Sequence, residues 1–268
     1  MKKLITSPFL WLFLGYIFPF NNFAQDKKYK DYELFSRHIF EGKQLKMPYR
    51  WLIPPDFDTL NQQKNIKKYP LIVFLHGAGE RGDNNLVPLT HFAPYILTEN
   101  NRQKHPCFVL VPQCPKDKKW IETDWGLDAH TQPEAISEVL KNVIEIIQIM
   151  EEKYPIDTKK IYITGLSMGG FGVWDLITRY PKKFAAAVPV CGGADEKTAK
   201  KIKKLPVWAF HGALDKVVKP ERSRNMVEAI KKTKGNIRYT EYPNVQHDSW
   251  KQAYQDENMW KWLFEQSK

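Results

Sequence analysis

Ile161-Tyr162-Ile163-Thr164-Gly165-Leu166-Ser167-Met168-Gly169-Gly170-Phe171-Gly172-Val173-Trp174 is the stretch on which the fold turns. Four β-branched or aromatic residues lead into a glycine-flanked serine. An apolar spacing of helical period follows through Phe171, Val173, Trp174 and Leu176. This predicts a buried strand, a very sharp turn at Ser167 and a helix that opens straight after it. The flanking glycines have a physical reason. So tight a turn holds the serine in strained backbone geometry, and side chains at 165 and 169 would collide with the neighbouring strand and helix. The alternative is an ordinary tight turn; the strand before it and the helix after it favour an elbow that lifts the hydroxyl above the sheet.

Outward from there, runs at 71–75, 108–111, 185–190, 207–210 and 237–242 read as further strands. Most are nearly continuous rather than alternating, as strands covered on both faces are. Helical patterns lie between them. Residues 133–153 carry a stripe of Ile136, Leu140, Val143, Ile146, Ile147 and Met150; residues 168–180 are stopped by Pro181; residues 220–232 open on Pro220 and Glu221. A last helix over 249–265 has Trp250, Tyr254, Trp260 and Phe264 to turn inward. Alternating strands and helices predict an α/β domain over 26–268, a mostly parallel central sheet with helices on both faces. Residues 32–53 read as one or two antiparallel edge strands.

The first 25 of the 268 residues read differently. Lys2 and Lys3 precede an apolar run, and Asn22-Phe23-Ala24-Gln25 turns polar, the layout of a secretory signal peptide cleaved near Ala24 or Gln25. The run is short for a membrane span and carries Pro8 and Pro19, which weighs against an uncleaved anchor. The expectation is therefore a secreted or periplasmic chain with no stable membrane insertion after cleavage. The net charge of +11 is spread over several lysine knots without a nucleic-acid recognition motif, so it is read as solvated surface. Cys107, Cys114 and Cys191 are an odd count. Cys107 and Cys114 flank one strand, too far apart to bond; a Cys114–Cys191 bridge and three buried free thiols remain the alternatives. Their spacing is not that of a zinc site, and neither metal nor cofactor is expected.

A serine hydroxyl needs a base. Only His211 and His247 follow Ser167, and in this strand–elbow–helix setting the acid precedes the histidine. His211 lies at a strand end ahead of Asp215, which leaves His247, in the loop after the last strand, as base. Asp215 is read as the acid that orients it. Asp195 and Asp248 compete, Asp248 awkwardly because it adjoins the base. Two backbone N–H groups are needed for an oxyanion: Met168, after the serine, and Ala78 in His76-Gly77-Ala78-Gly79, with Gly79 the second choice there. His76 is read as tying that loop down.

Together, His76-Gly77-Ala78-Gly79, Gly165-Leu166-Ser167-Met168-Gly169, His211-Gly212-Ala213-Leu214-Asp215 and His247 resemble an α/β-hydrolase. Within that fold the chain is similar to the compact secreted group of predicted peptidases and phospholipase/carboxylesterase-like enzymes, which adjoins feruloyl and acetyl-xylan esterases. The resemblance covers about residues 30–268 and is specific for the fold, weak for the substrate. It implies a serine esterase; a peptidase with the same residues and a non-catalytic carbohydrate-binding protein are the alternatives. The pocket is left to segments 79–89, 111–130 and 192–195. Gly79, Trp120 and Trp125 are the candidate substrate contacts, the tryptophans for a sugar face or phenolic acyl group unless they belong to the core. With no long insertion before residue 220, no large lid is expected, which favours esters on polysaccharide or small soluble esters.

Overall fold

The computed structural model describes residues 31–58 and 67–268. The leader expected over residues 1–25 lies outside them. Eight strands form one sheet: β1 (Ser36–Glu41), β2 (Lys46–Leu52), β3 (Tyr69–Leu75), β4 (Phe108–Pro112), β5 (Ile156–Leu166), β6 (Ala186–Val190), β7 (Val207–Gly212) and β8 (Ile237–Tyr242). Their order is β1-β2-β4-β3-β5-β6-β7-β8. The β1–β2 and β2–β4 pairs are antiparallel, and every pair from β4 to β8 is parallel.

Strand side chains alternate between two apolar layers. Leu71, Val73 and Leu75 of β3, with Ile161 and Ile163 of β5, face a cluster filled by the helices α3 (Glu138–Lys153), α4 (Met168–Arg179) and α5 (Glu221–Lys232). Ile72, Phe74 and Tyr162 face the other cluster, closed by α1 (Ala93–Ile96), α6 (Trp250–Gln255) and α7 (Glu257–Glu265). The period of two thus carries apolar residues on both faces, which is why the strands read as continuous runs.

The elements differ from the sequence expectation in several places. Helix α3 starts at Glu138 rather than 133, because Ser137 caps it by accepting Leu140 N–H, while Arg179 binds the carbonyls of Pro133 and Glu134. The final helix breaks in two at Asp256, whose side chain accepts Asn258 N–H and caps α7. Two short helices, α1 and α2 (Glu99–Lys104), lie where none was expected. The edge hairpin is anchored by Arg50, fully buried, which donates to the carbonyls of Phe35 and Asn85. Among the described residues no helix is long and apolar enough to cross a membrane, and no large lid crosses the carboxyl ends of the parallel strands.

Candidate active site

The elbow leaves β5 at Leu166 and enters α4 at Met168. Between them Ser167 sits at φ +52, in the left-handed region that an L-residue adopts at a cost. The sterics expected of its glycines are present. A Cβ on Gly165 would lie 2.7 Å from the carbonyl oxygens of Gly169 and Leu75, and one on Gly169 1.9 Å from Leu75 O. These contacts are with backbone, which cannot swing aside.

Ser167 Oγ lies 2.9 Å from His247 Nε2, and His247 Nδ1 lies 2.7 Å from Asp215 Oδ2. The three side chains form one hydrogen-bonded chain across residues 48 and 32 positions apart in sequence. Two loops meet to make it. The β7 turn and the β8 turn are stitched by Ala213 N–H to Tyr242 O and Leu214 N–H to Val245 O, both at 2.9 Å. Gly212 permits the approach, since a Cβ there would fall 2.1 Å from Gln246 O.

Asp215 is buried and well supplied with donors. Val217 and Val218 N–H reach Oδ1 at 2.8 and 2.9 Å, and His211 Nε2 stands 3.3 Å from Oδ2. Burial alone would raise its pKa, but hydrogen bonds from His211, His247 and Val218 N–H outweigh that and hold the carboxyl well below the ordinary carboxylate range. It is an anion that faces the imidazole. The rival acids are engaged elsewhere: Asp195 accepts the N–H groups of Lys197 and Gln132, and Asp248 pairs with Lys251 at the surface.

The loop after β3 lies beside the elbow, for a Cβ on Gly77 would be 3.7 Å from Ser167 Cβ. The N–H groups of Met168 and Ala78 donate to no acceptor among the described residues. Gly79 is exposed, and a Cβ there would meet nothing within 4 Å. His76 is buried; Nδ1 is 2.7 Å from Gly77 O and Nε2 accepts Cys114 N–H at 3.0 Å. Burial drives its pKa down to about 4.

Trp120 requires correction as a substrate contact. It is fully buried in the core, edge-on to His76, and its indole N–H binds His76 O at 2.9 Å. A large ring beside a sheet gains more by burial than by waiting at a rim, and its N–H finds a partner inside. Trp125 is half-buried against Ile121, Phe171 and Val218, close to the helix that carries the elbow.

Sequence reasoning missed the wall formed by Trp250, His91 and Glu80. The Trp250 ring stands perpendicular to His247 at 5.4 Å, and His91 tilts over Trp250 at 5.3 Å while its Nε2 lies 3.5 Å from Glu80 Oε1. Trp250 was read as a core position of the last helix, and only the packing of two distant loops brings it to the base. A cleft of about 550 Å3 opens beside His247, lined among others by Asn244, Gln246, Trp250 and Lys251. Cys191, Asp215 and His247 are the one group among the described residues with metal-ligand atoms clustered, within 4.8 Å of one another. Asp215 and His247 are already bound to each other there, and burial pushes the Cys191 thiol far up, so the set does not fit a resident cation.

A parallel sheet with a strand–serine–helix elbow, an acid after β7 and a histidine after β8 defines the α/β-hydrolase fold with a serine–histidine–aspartate site. Within it, residues 61–260 match the phospholipase/carboxylesterase family, and the chain belongs to that family. It is similar to a bifunctional acetylxylan esterase/xylanase of Neocallimastix patriciarum, 30% identical over 191 residues, which cover 68% of this chain and 26% of that protein. A poly(3-hydroxyalkanoate) depolymerase C of Paucimonas lemoignei is 29% identical over 132 residues, covering 46% of this chain and 28% of its own length. The chain thus spans about a quarter of either relative. Among solved structures, a thermostable esterase superposes with a TM-score of 0.80 at 38% identity over 88% of this chain and 64% of that one.

Proposed function

We propose that this chain hydrolyses carboxylic esters through an acyl-enzyme on Ser167. The observation that carries this reading is the unbroken chain of hydrogen bonds from Ser167 Oγ through His247 to Asp215. His247 Nε2 accepts the serine proton as Oγ bonds to the ester carbonyl carbon. The carbonyl oxygen becomes an anion, held by the N–H groups of Met168 and Ala78. The C–O bond to the alcohol then breaks, and the imidazolium returns its proton to the departing oxygen. Water enters, gives a proton to His247, and splits the acyl-serine to free acid and enzyme. Asp215 keeps the imidazole in the Nδ1–H tautomer and stabilises its cationic form.

Esters on plant polysaccharide, acetyl or feruloyl, are the proposed natural substrates. The similarity to an acetylxylan esterase/xylanase supports this, as does the cleft beside the base, where amides, an ammonium and a tryptophan ring suit a hydroxyl-rich alcohol. Gly79 and Trp125 are the proposed substrate contacts that remain. Export to the periplasm or outside is proposed from the leader-like residues 1–25; N-terminal sequencing of the chain from a secreting host tests it by a start near Asp26. Ser167→Ala should remove p-nitrophenyl acetate turnover by at least about 10^3-fold and abolish fluorophosphonate labelling in a folded protein. Retained turnover would defeat the reading. Parallel assay on acetyl-xylan, feruloyl esters, longer acyl esters and peptide amides ranks the substrates, and preference for the amide would favour a peptidase.

A further inference from the structure

Three successive carbonyls at the start of the β3 loop are each held by a different side chain. Trp120 Nε1–H donates to His76 O at 2.9 Å, His76 Nδ1–H to Gly77 O at 2.7 Å, and Arg81 Nε–H to Ala78 O at 2.9 Å. The His76 tautomer is settled from its far side: Cys114 N–H points at Nε2, so that nitrogen is bare and Nδ1 carries the hydrogen. In a trans peptide unit the C=O and N–H lie in one plane and point opposite ways. Holding Gly77 O therefore aims the N–H of Ala78, and holding Ala78 O aims that of Gly79. Neither N–H has an acceptor among the described residues, and the loop lies against the serine.

We propose that His76 and Arg81 are positioning residues that fix the direction of the oxyanion-binding N–H groups of Ala78 and Gly79. The proposal rests on the ester-hydrolase reading above. Neither touches substrate; each acts through a peptide plane. A dipole already aimed needs no reorganisation as charge gathers on the substrate oxygen. His76 does this from full burial, where water does not compete for the bond, and Arg81 from a half-buried position. Trp120 holds the preceding peptide unit, whose N–H is that of Gly77.

Two isosteres separate the halves of the His76 contact. His76→Asn keeps a donor where Nδ1 stands but loses the acceptor for Cys114; His76→Gln keeps that acceptor but loses the donor to Gly77 O. With p-nitrophenyl acetate, His76→Gln should lower kcat about 10^2-fold with KM within threefold, and His76→Asn no more than about tenfold. Affinity for a boronic acid, whose tetrahedral adduct on Ser167 places an oxygen in the same site, should fall in parallel with kcat. Arg81→Ala, at a half-buried position that keeps the core intact, should lower both about tenfold. Equal kcat in the two folded His76 variants, or a fall in kcat without loss of boronate affinity, would overturn the positioning role while wild-type turnover upheld the hydrolase. A wild-type protein inert to esters and to fluorophosphonate would instead overturn the hydrolase reading, and the positioning role with it.

Discussion

Asp215 and Asp195 each follow a strand of the same sheet, yet only one faces an imidazole. Asp215→Asn should leave a folded protein and lower kcat by about 10^3- to 10^4-fold, because an amide no longer holds the Nδ1–H tautomer or the imidazolium. Asp195→Ala should keep near-normal turnover and lose about 1 kcal/mol from the helical turn it caps, read by thermal melting alongside the kinetics. The sequence made Ser167, His247 and Asp215 legible because each sits at a fixed place relative to a strand end. It did not separate a pocket tryptophan from a core one at Trp120, where burial depends on a loop that returns over β3 from forty residues away. Nor did it reveal Trp250, whose helical spacing is the same whether it packs inward or against His247.

Among elements, the long connection between β4 and α3 is the one whose conformation had no periodic signal. It is held down by polar contacts as well as by the packing of Trp120, Ile121 and Trp125. Arg222, buried within α5, donates to Leu127 O, meets His130 and lies over the Phe171 ring; Gln132 binds Asp175 and Thr178 on α4. Arg222→Met should speed hydrogen exchange about tenfold across residues 121–132, equivalent to roughly 1.4 kcal/mol, with the rates in β5 unchanged. Exchange mass spectrometry reads this directly. Strands were legible because both of their faces are apolar, and helix ends were less so. The break at Asp256 was nonetheless written in an aspartate two residues before the N–H it caps, a local signal masked by the apolar spacing that continues across it.

For the whole molecule, acid acts in two stages. His76 has its pKa lowered by burial from 6.5 to about 4, so the unfolded chain takes up its proton first. Stability should therefore fall as pH drops from 6.5 towards 4, by about 3 kcal/mol from this residue, and level off below. His130, lowered by burial and by Arg222, adds to the same window. Asp215 acts in the same direction at lower pH: its depressed carboxyl stabilises the fold above the ordinary value of 3.8, and that contribution is lost as pH falls further. Melting midpoints at pH 7.5, 5.5 and 4.0 check this, and His76→Asn should reduce the upper stage to the part that His130 contributes. The layered sheet was legible from alternation alone, whereas this acid profile depends on which histidines the layers enclose. The cysteines have a consequence of another kind. All three thiols are buried and unbridged, so the architecture draws no support from oxidation. No native disulfide has to be made or shuffled, so the folded state is as complete among reductants as in air.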